Sequence, residues 1–282
     1  MKLLKGRVKK QSVKELSKEY LTVCVDGKPT NDCIIKNMSV SCLKDNVSMI
    51  TNINSITQKA GWKSTQTAGY YSNQKAGDCS TQTVGDESTQ KAGDNSTQKA
   101  GWCAIQITGN ESTQKAGHWS TQITGDWSTQ KAGYDSTQKA GDYSTQIAGD
   151  ESIQKAGYYS NQKAGDCSTQ TAGNFSNQIA GEESIQKAGD CSTQTAGDES
   201  IQKAGDCSTQ TAGDESIQKA GNNSTQTIYG DKSYIILDGE NVTLLQIFNG
   251  KTYTLKHNTL FEQGYKKGDK FHVVKGKAKL VE

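Results

Sequence analysis

Asp190–Gly205 reads DCSTQTAGDESIQKAG, and the next sixteen residues, Asp206–Gly221, repeat the string. Each sixteen divides into two eights with one frame, Ser-x-Gln-x-Ala-Gly followed by two variable residues. The frame extends far outward. Gln returns at every eighth position from Gln58 to Gln226, 22 times without a slip. Gly follows three residues later in 21 copies, from Gly61 to Gly221. Ser stands two positions before Gln from Ser64 to Ser224, with Ala104 as the exception.

Alternate residues of a strand face opposite sides. Ser, Gln and Ala therefore share one side, and the residues flanking Gln share the other. The first set barely varies, whereas the second holds Thr, Asn, Ile or Lys. The fixed set is read as inward, with Gln66, Gln82, Gln194, Gln210, Ser192 and Ser208 as members of an inward ladder. Gly then lies at a corner that needs either positive φ or close backbone approach. The two polar residues after it form a turn. One octad is too short to close around a core, and the sixteen-residue period makes two octads one coil: strand, turn, strand, turn. The fold class predicted is all-β: a β-solenoid of about 11 two-strand coils over residues 56–228, a rod on the order of 50 Å long at ~4.8 Å per rung.

Composition agrees with a thin, polar core. Leu, Ile, Val and Phe make up 44 of 282 residues, and the mean hydropathy is −0.76. Such a chain cannot build a thick aliphatic core, and composition alone points toward disorder. A net charge of only +2 and a frame kept through 22 units argue for order instead. Stacked Gln amides can form ladders of the cross-β kind. Buried polar groups cost little when each is paired.

The ends differ. Residues 1–55 carry a net +5, residues 56–228 a net −6 and residues 229–282 a net +3. In the first region Ser12–Leu21 predicts a short helical cap, with Ser12 and Glu15 as a capping box. Val40–Leu43 and Val47–Ile50 read as degenerate, more apolar coils. The last region reads as a small β module. Its strands are Tyr234–Leu237, Val242–Phe248, Lys251–Leu255, Phe271–Val274 and Lys277–Val281, with turns at Asp238-Gly239, Asn249-Gly250 and Lys275-Gly276. It is either a cap or a binding domain.

No catalytic motif emerges. The three His residues, His118, His257 and His272, have no metal-ligand spacing, and Cys24, Cys33 and Cys42 match no zinc pattern. Phosphate loops and nucleophile elbows are missing. The expectation is a non-enzyme without metal or cofactor. There is no run of about 18 apolar residues and no apolar signal core. This gives no membrane span and a cytoplasmic location by default, with self-association as the expected partnership and no nucleic-acid partner.

Three surface features are candidates for function. Cys79, Cys103, Cys167, Cys191 and Cys207 all occupy the second turn position. Cys191 and Cys207 lie one coil apart, within disulfide reach, although free thiols are the expectation without a secretion signal. Asp78, Asp190, Asp198, Asp206 and Asp214 form a carboxylate column, read as surface ion pairs to outward Lys or, alternatively, a calcium site. Trp127, Tyr143, Tyr159 and Phe175 recur at intervals of 16 and predict an aromatic ladder along one edge. That ladder either stiffens one chain or forms a dimer seam.

The unit Ser-Thr-Gln-Thr-Ala-Gly of Ser192–Gly197 and Ser208–Gly213 resembles the central repeat of bacterial ice nucleation proteins. The resemblance covers residues 56–228. It implies outward Thr-x-Thr rows that order water, side-by-side dimers and larger assemblies. The matching rows are Thr65/Thr67, Thr81/Thr83, Thr193/Thr195, Thr209/Thr211 and Thr225/Thr227, with Thr169/Thr171 on the opposite face by the period of 16. Lys99, Lys115, Lys131 and Lys163 interrupt the row. Ice or water is the partner this resemblance implies. A spacer role, with the C-terminal module as an adhesion domain, is a third reading.

Overall fold

A computed structural model describes residues 2–4, 7–9, 21–25, 28–29, 34–36, 39–42, 45–230, 232–256, 260, 264–274 and 277–281. The chain is a β-solenoid, and it divides into two compact units, Met1–Lys139 and Ala140–Glu282. In the first unit, Thr65–Thr67, Thr81–Thr83, Thr97–Lys99, Thr113–Lys115 and Thr129–Lys131 form one parallel sheet. The intervening octads form the second sheet, as in Asn73–Lys75 beside Thr57–Ala60 and Thr89–Lys91. Register among these octads is 16 residues, Gln on Gln. The second unit repeats the scheme, with Thr193–Thr195, Thr209–Ala212 and Thr225–Tyr229 on one sheet and Ile185–Lys187, Ile201–Lys203 and Ile217–Ala220 on the other.

The inward assignment holds. Gln66, Gln82, Gln194 and Gln210 are fully buried, and so, within 1%, are Ser192 and Ser208. A ladder Gln with a Gln on the rung before it donates in two directions. Gln82 Nε2 reaches Gln66 Oε1 at 2.7 Å one rung back and the Lys91 carbonyl at 3.2 Å on the opposite sheet. Gln194 does the same toward Gln178 Oε1 at 2.8 Å and the Lys203 carbonyl at 3.1 Å, while its own Oε1 accepts from Gln210 at 2.8 Å. Ser fixes the corner: the Ser192 N–H donates to Ser208 Oγ at 3.3 Å, and Ser192 Oγ donates to the Asp190 carbonyl at 3.2 Å.

The two requirements expected of Gly fall on different residues. Positive φ belongs to the second turn residue, as at Cys79 (54°), Tyr143 (55°) and Glu199 (55°). Its N–H donates to the carbonyl of the first turn residue one coil on, as from Cys79 to Asp94 at 2.8 Å. Among the described residues, none of the non-Gly residues held at positive φ is β-branched, a class for which that conformation is strained. Gly serves close approach instead: a Cβ on Gly93 would lie 1.7 Å from Asp78 Oδ1.

The coils number about 13, because degenerate octads at both ends still lay down rungs. Ser39–Cys42 pairs in parallel with Thr57–Ala60, and Val47–Thr51 with Thr65–Thr67. Val40 replaces Gln opposite Gln58, and Met49 replaces it opposite Gln66. At the other end Ile235 sits opposite Gln218 and Leu244 opposite Gln226. Apolar residues fill the Gln place where a terminal rung has no further Gln to pair with. They build two small cores, one around Val40, Val47, Met49 and Ile56, the other around Ile228, Ile235, Leu244, Leu255 and Val273.

The expected helical cap finds no support among the described residues. Ser12–Tyr20 lies outside the described residues, and Leu21 begins a strand, Leu21–Val25, antiparallel to Val47–Thr51. No helix is present among the described residues of 1–55. Ile34–Lys36 pairs antiparallel with Ser39–Cys42 on the other sheet. The C-terminal unit ends in the same way, with Lys251–Lys256 and Lys270–Val274 antiparallel to the last two parallel strands. Reversing direction at the last rung satisfies its backbone groups and stops further stacking. Asp238-Gly239 is consequently a coil corner rather than a hairpin turn, since the strands around it both pair in parallel with the preceding coil. Asn249-Gly250 is a true two-residue hairpin, with φ of 49° and 70°.

Thr108 and Thr124 replace Ala in the inward frame one coil apart, and neither Oγ1 has a hydrogen-bond partner. Thr108→Val with Thr124→Val should therefore raise stability by about 1 kcal/mol or more in denaturant titrations. Gln194→Leu should lower it by about 2–3 kcal/mol, because Gln178 Oε1 loses its donor while buried. The outward substitution Thr193→Ser should change it by under about 0.5 kcal/mol.

Candidate functional site

Outward rows and edge columns carry whatever this solenoid presents. In the first unit Thr65/Thr67 lies in register with Thr81/Thr83, and the next rung replaces Thr83 by Lys99, followed by Lys115 and Lys131. In the second unit Thr193/Thr195, Thr209/Thr211 and Thr225/Thr227 stack on three consecutive rungs without a charge. Thr193, Thr195 and Thr209 are exposed, and Thr211, Thr225 and Thr227 are half-buried. Thr169/Thr171 lies on the other sheet of that unit, between Ile153/Lys155 and Ile185/Lys187, where the period placed it.

The aromatic column is brought together within the second unit. Tyr143 stacks on Tyr159 with ring centroids 5.0 Å apart and planes 7° apart, and Tyr159 stacks on Phe175 at 4.8 Å and 7°. The ring faces cover one another, so the strip offers ring edges and hydroxyls outward. All three rings are nearly half-exposed. Trp127, at the same turn position, belongs to the first unit and is 61% exposed.

A second aromatic group was not foreseen. Trp102, His118, Trp119 and Tyr134 meet edge-to-face in the first unit, at centroid distances of 5.4–6.0 Å. The signal was present in the period, since 102, 118 and 134 are successive first-turn positions. His118 also takes over the work of Asp at that position, its Nδ1 accepting the Tyr134 N–H at 2.8 Å.

The carboxylates predicted as one column fall on both corners of the coil, Asp190 and Asp206 on one and Asp198 and Asp214 on the other, and have a different role from ion pairing with Lys. Asp78 Oδ1 accepts the Asp94 N–H at 3.0 Å, Asp190 accepts from Asp206 at 2.9 Å, Asp198 from Asp214 at 2.8 Å and Asp206 from Asn222 at 2.7 Å. Asp214 Oδ1 accepts the Lys232 N–H at 3.0 Å. Each side chain bridges to the backbone of the next coil, which a carboxylate at the surface does at lower cost than holding a mobile Lys. The ion pairs found among the described residues are Lys219–Asp238 and Lys232–Glu215. Among those residues, no group of three or more His, Cys, Asp or Glu is placed to hold a metal ion.

The five repeat cysteines are exposed free thiols. Partial desolvation by neighbouring rungs raises the Cys191 thiol above its ordinary value, and Cys207, Asp190 and Asp206 add to the shift. Desolvation also raises Cys167, with the carboxylates of Glu183 and Glu151 adding; its Sγ lies 3.9 Å from Glu183 Oε2. A raised thiol holds less thiolate near neutrality, and the thiolate is the nucleophile. Cys167 and Cys191 should thus react with iodoacetamide at pH 8 more slowly than a cysteine peptide does, and the gap should close at higher pH, as read by mass spectrometry. No family model, no curated protein and no solved structure matches this chain.

Proposed function

We propose that this chain is a non-enzymatic structural protein whose regular outer rows serve self-association. The carrying observation is register. Side chains recur on each sheet at the rung spacing, so a contact that forms at one rung is offered again at its neighbours. Weak single contacts then add along the stack. Exposed aromatic strips mark interaction sites, and stacked rings contribute ~0.5–1.5 kcal/mol per pair beyond their area.

A second reading is ice or water ordering. The observation favouring it is the uncharged run of Thr193/Thr195, Thr209/Thr211 and Thr225/Thr227 on three successive rungs. The spacer reading receives less support, because Tyr234–Leu237 and Thr243–Phe248 continue the solenoid and share its apolar end core.

Light scattering of the full chain against concentration should give a mass that rises above 30.4 kDa. A constant monomer mass up to millimolar concentration would remove the self-association reading. Freezing of droplets no warmer than buffer, without thermal hysteresis, would remove the second reading.

A further inference from the structure

One octad type recurs with three surface residues linked. Glu-Ser-Ile-Gln-Lys stands at 151–155, 183–187, 199–203 and 215–219. Its four copies occupy one sheet of the second unit, on Ile153–Lys155, Ile185–Lys187, Ile201–Lys203 and Ile217–Ala220. The rung between the first two copies instead carries Cys167, Thr169 and Thr171. Chain order fixes the layout. Glu sits at the corner just before the strand, Ile is the first outward residue and Lys the second, next to the following corner. Three stripes result: acid, aliphatic and base.

Among the described residues most of the stripe is exposed and without an ion pair, although Glu183 Oε2 lies 3.9 Å from Cys167 Sγ. Ile153, Ile185 and Ile201 are 53%, 48% and 43% exposed. Among the described residues Lys155, Lys187, Lys203, Glu151, Glu183 and Glu199 have no ion pair; only the last copy does, through Lys219–Asp238 and Lys232–Glu215. Stacking like charges at the rung spacing is unfavourable in itself. Ile and Lys coincide with Glu at all four copies, so the stripes go together.

We propose that this striped face is a seam for a second copy of the chain, packed parallel about a two-fold axis that runs along the Ile stripe. This rests on the self-association reading and names its surface. A two-fold axis in that direction lays Ile on Ile and exchanges the outer stripes, so Lys of one copy meets Glu of the other. An axis across the rungs would set Lys on Lys, and is excluded by repulsion. A polyanion or an anionic membrane fits poorly, because the acid stripe lies beside the Lys stripe. Five rungs offer on the order of 300–400 Å² per copy at ~4.8 Å per rung. That is the weak end of specific interfaces, so association should need high concentration and fall with salt.

The test uses two full-length variants, Lys187→Glu/Lys203→Glu and Glu183→Lys/Glu199→Lys, in sedimentation velocity. Each makes both outer stripes one sign at the two rungs of Ile185 and Ile201, the middle of the seam. Each alone should self-associate about tenfold or more weaker than the unaltered chain. An equimolar mixture of the two should associate at least as well as the unaltered chain, which also shows that both are folded. If both variants associate like the unaltered chain, the seam is elsewhere and self-association stands. If Tyr143→Ser/Tyr159→Ser abolishes association while the charge variants do not, the aromatic strip is the seam. A monomeric unaltered chain at all concentrations overturns both readings.

Discussion

The whole structure depends on a side-chain amide that donates in two directions. Beyond the first Gln rung of each sheet, a ladder Gln typically gives one N–H to the Gln of the previous rung and one to a backbone carbonyl of the facing sheet, as Gln82 does to Gln66 and Lys91. The first bond fixes register along the stack. The second fixes the separation between the sheets. A buried amide left unpaired would cost more than the bond contributes, so the arrangement is favourable only when it is continuous. This is why Gln never slips across 22 octads. It also explains why the ends replace Gln by Val40, Met49, Ile235 and Leu244, where continuity stops.

The turns follow from the same demand. Two sheets held at the width of one Gln must be joined by a short corner, and that corner holds a non-Gly residue at positive φ in octad after octad. The strain of such a residue, on the order of 1–3 kcal/mol, is offset by bonds to the neighbouring coils: its own N–H and the Asp carboxylate bond to the next coil, and the Gly N–H and the Ser hydroxyl oxygen to the preceding one. Because these bonds use the backbone and one carboxylate oxygen, the second turn side chain is free to vary. Cys, Glu, Tyr, Trp and Phe all stand there. The edge columns are therefore the least constrained part of the fold, and with the outward rows they carry its individuality.

The outer surface differs between the sheets of the second unit. One bears uncharged Thr pairs on three successive rungs, the other Ile and Lys beside a Glu corner. An octad alternation that leaves the core indifferent, since both types present Ser, Gln and Ala inward, has its effect only outside. That separation lets one scaffold present two surfaces of different chemistry, and it is the physical basis for placing function in the rows rather than in a cavity.

Much of this was legible in the residues themselves. Period eight gave the strand, period sixteen the coil, and the contrast between fixed and varied positions told inside from outside, because a thin core accepts few side chains. The same parity placed Thr169/Thr171 on the opposite sheet and Tyr143, Tyr159 and Phe175 in one column. Other features were decided only by tertiary structure. The terminal rungs carry no Gln at the ladder position, so they showed no period, and only pairing with Gln58, Gln66, Gln218 and Gln226 makes them coils. Leu21–Val25 caps as a strand because the rung beneath it offers backbone groups that a helix could not satisfy. The Asp column looked like partners for Lys until the next coil's N–H came within 3 Å of it. Sequence by itself determined the repeat, since a periodic core writes its period into the chain. The capping strands, the corner conformation and the partners of the surface carboxylates depend on what lies one rung away, which a linear reading cannot place.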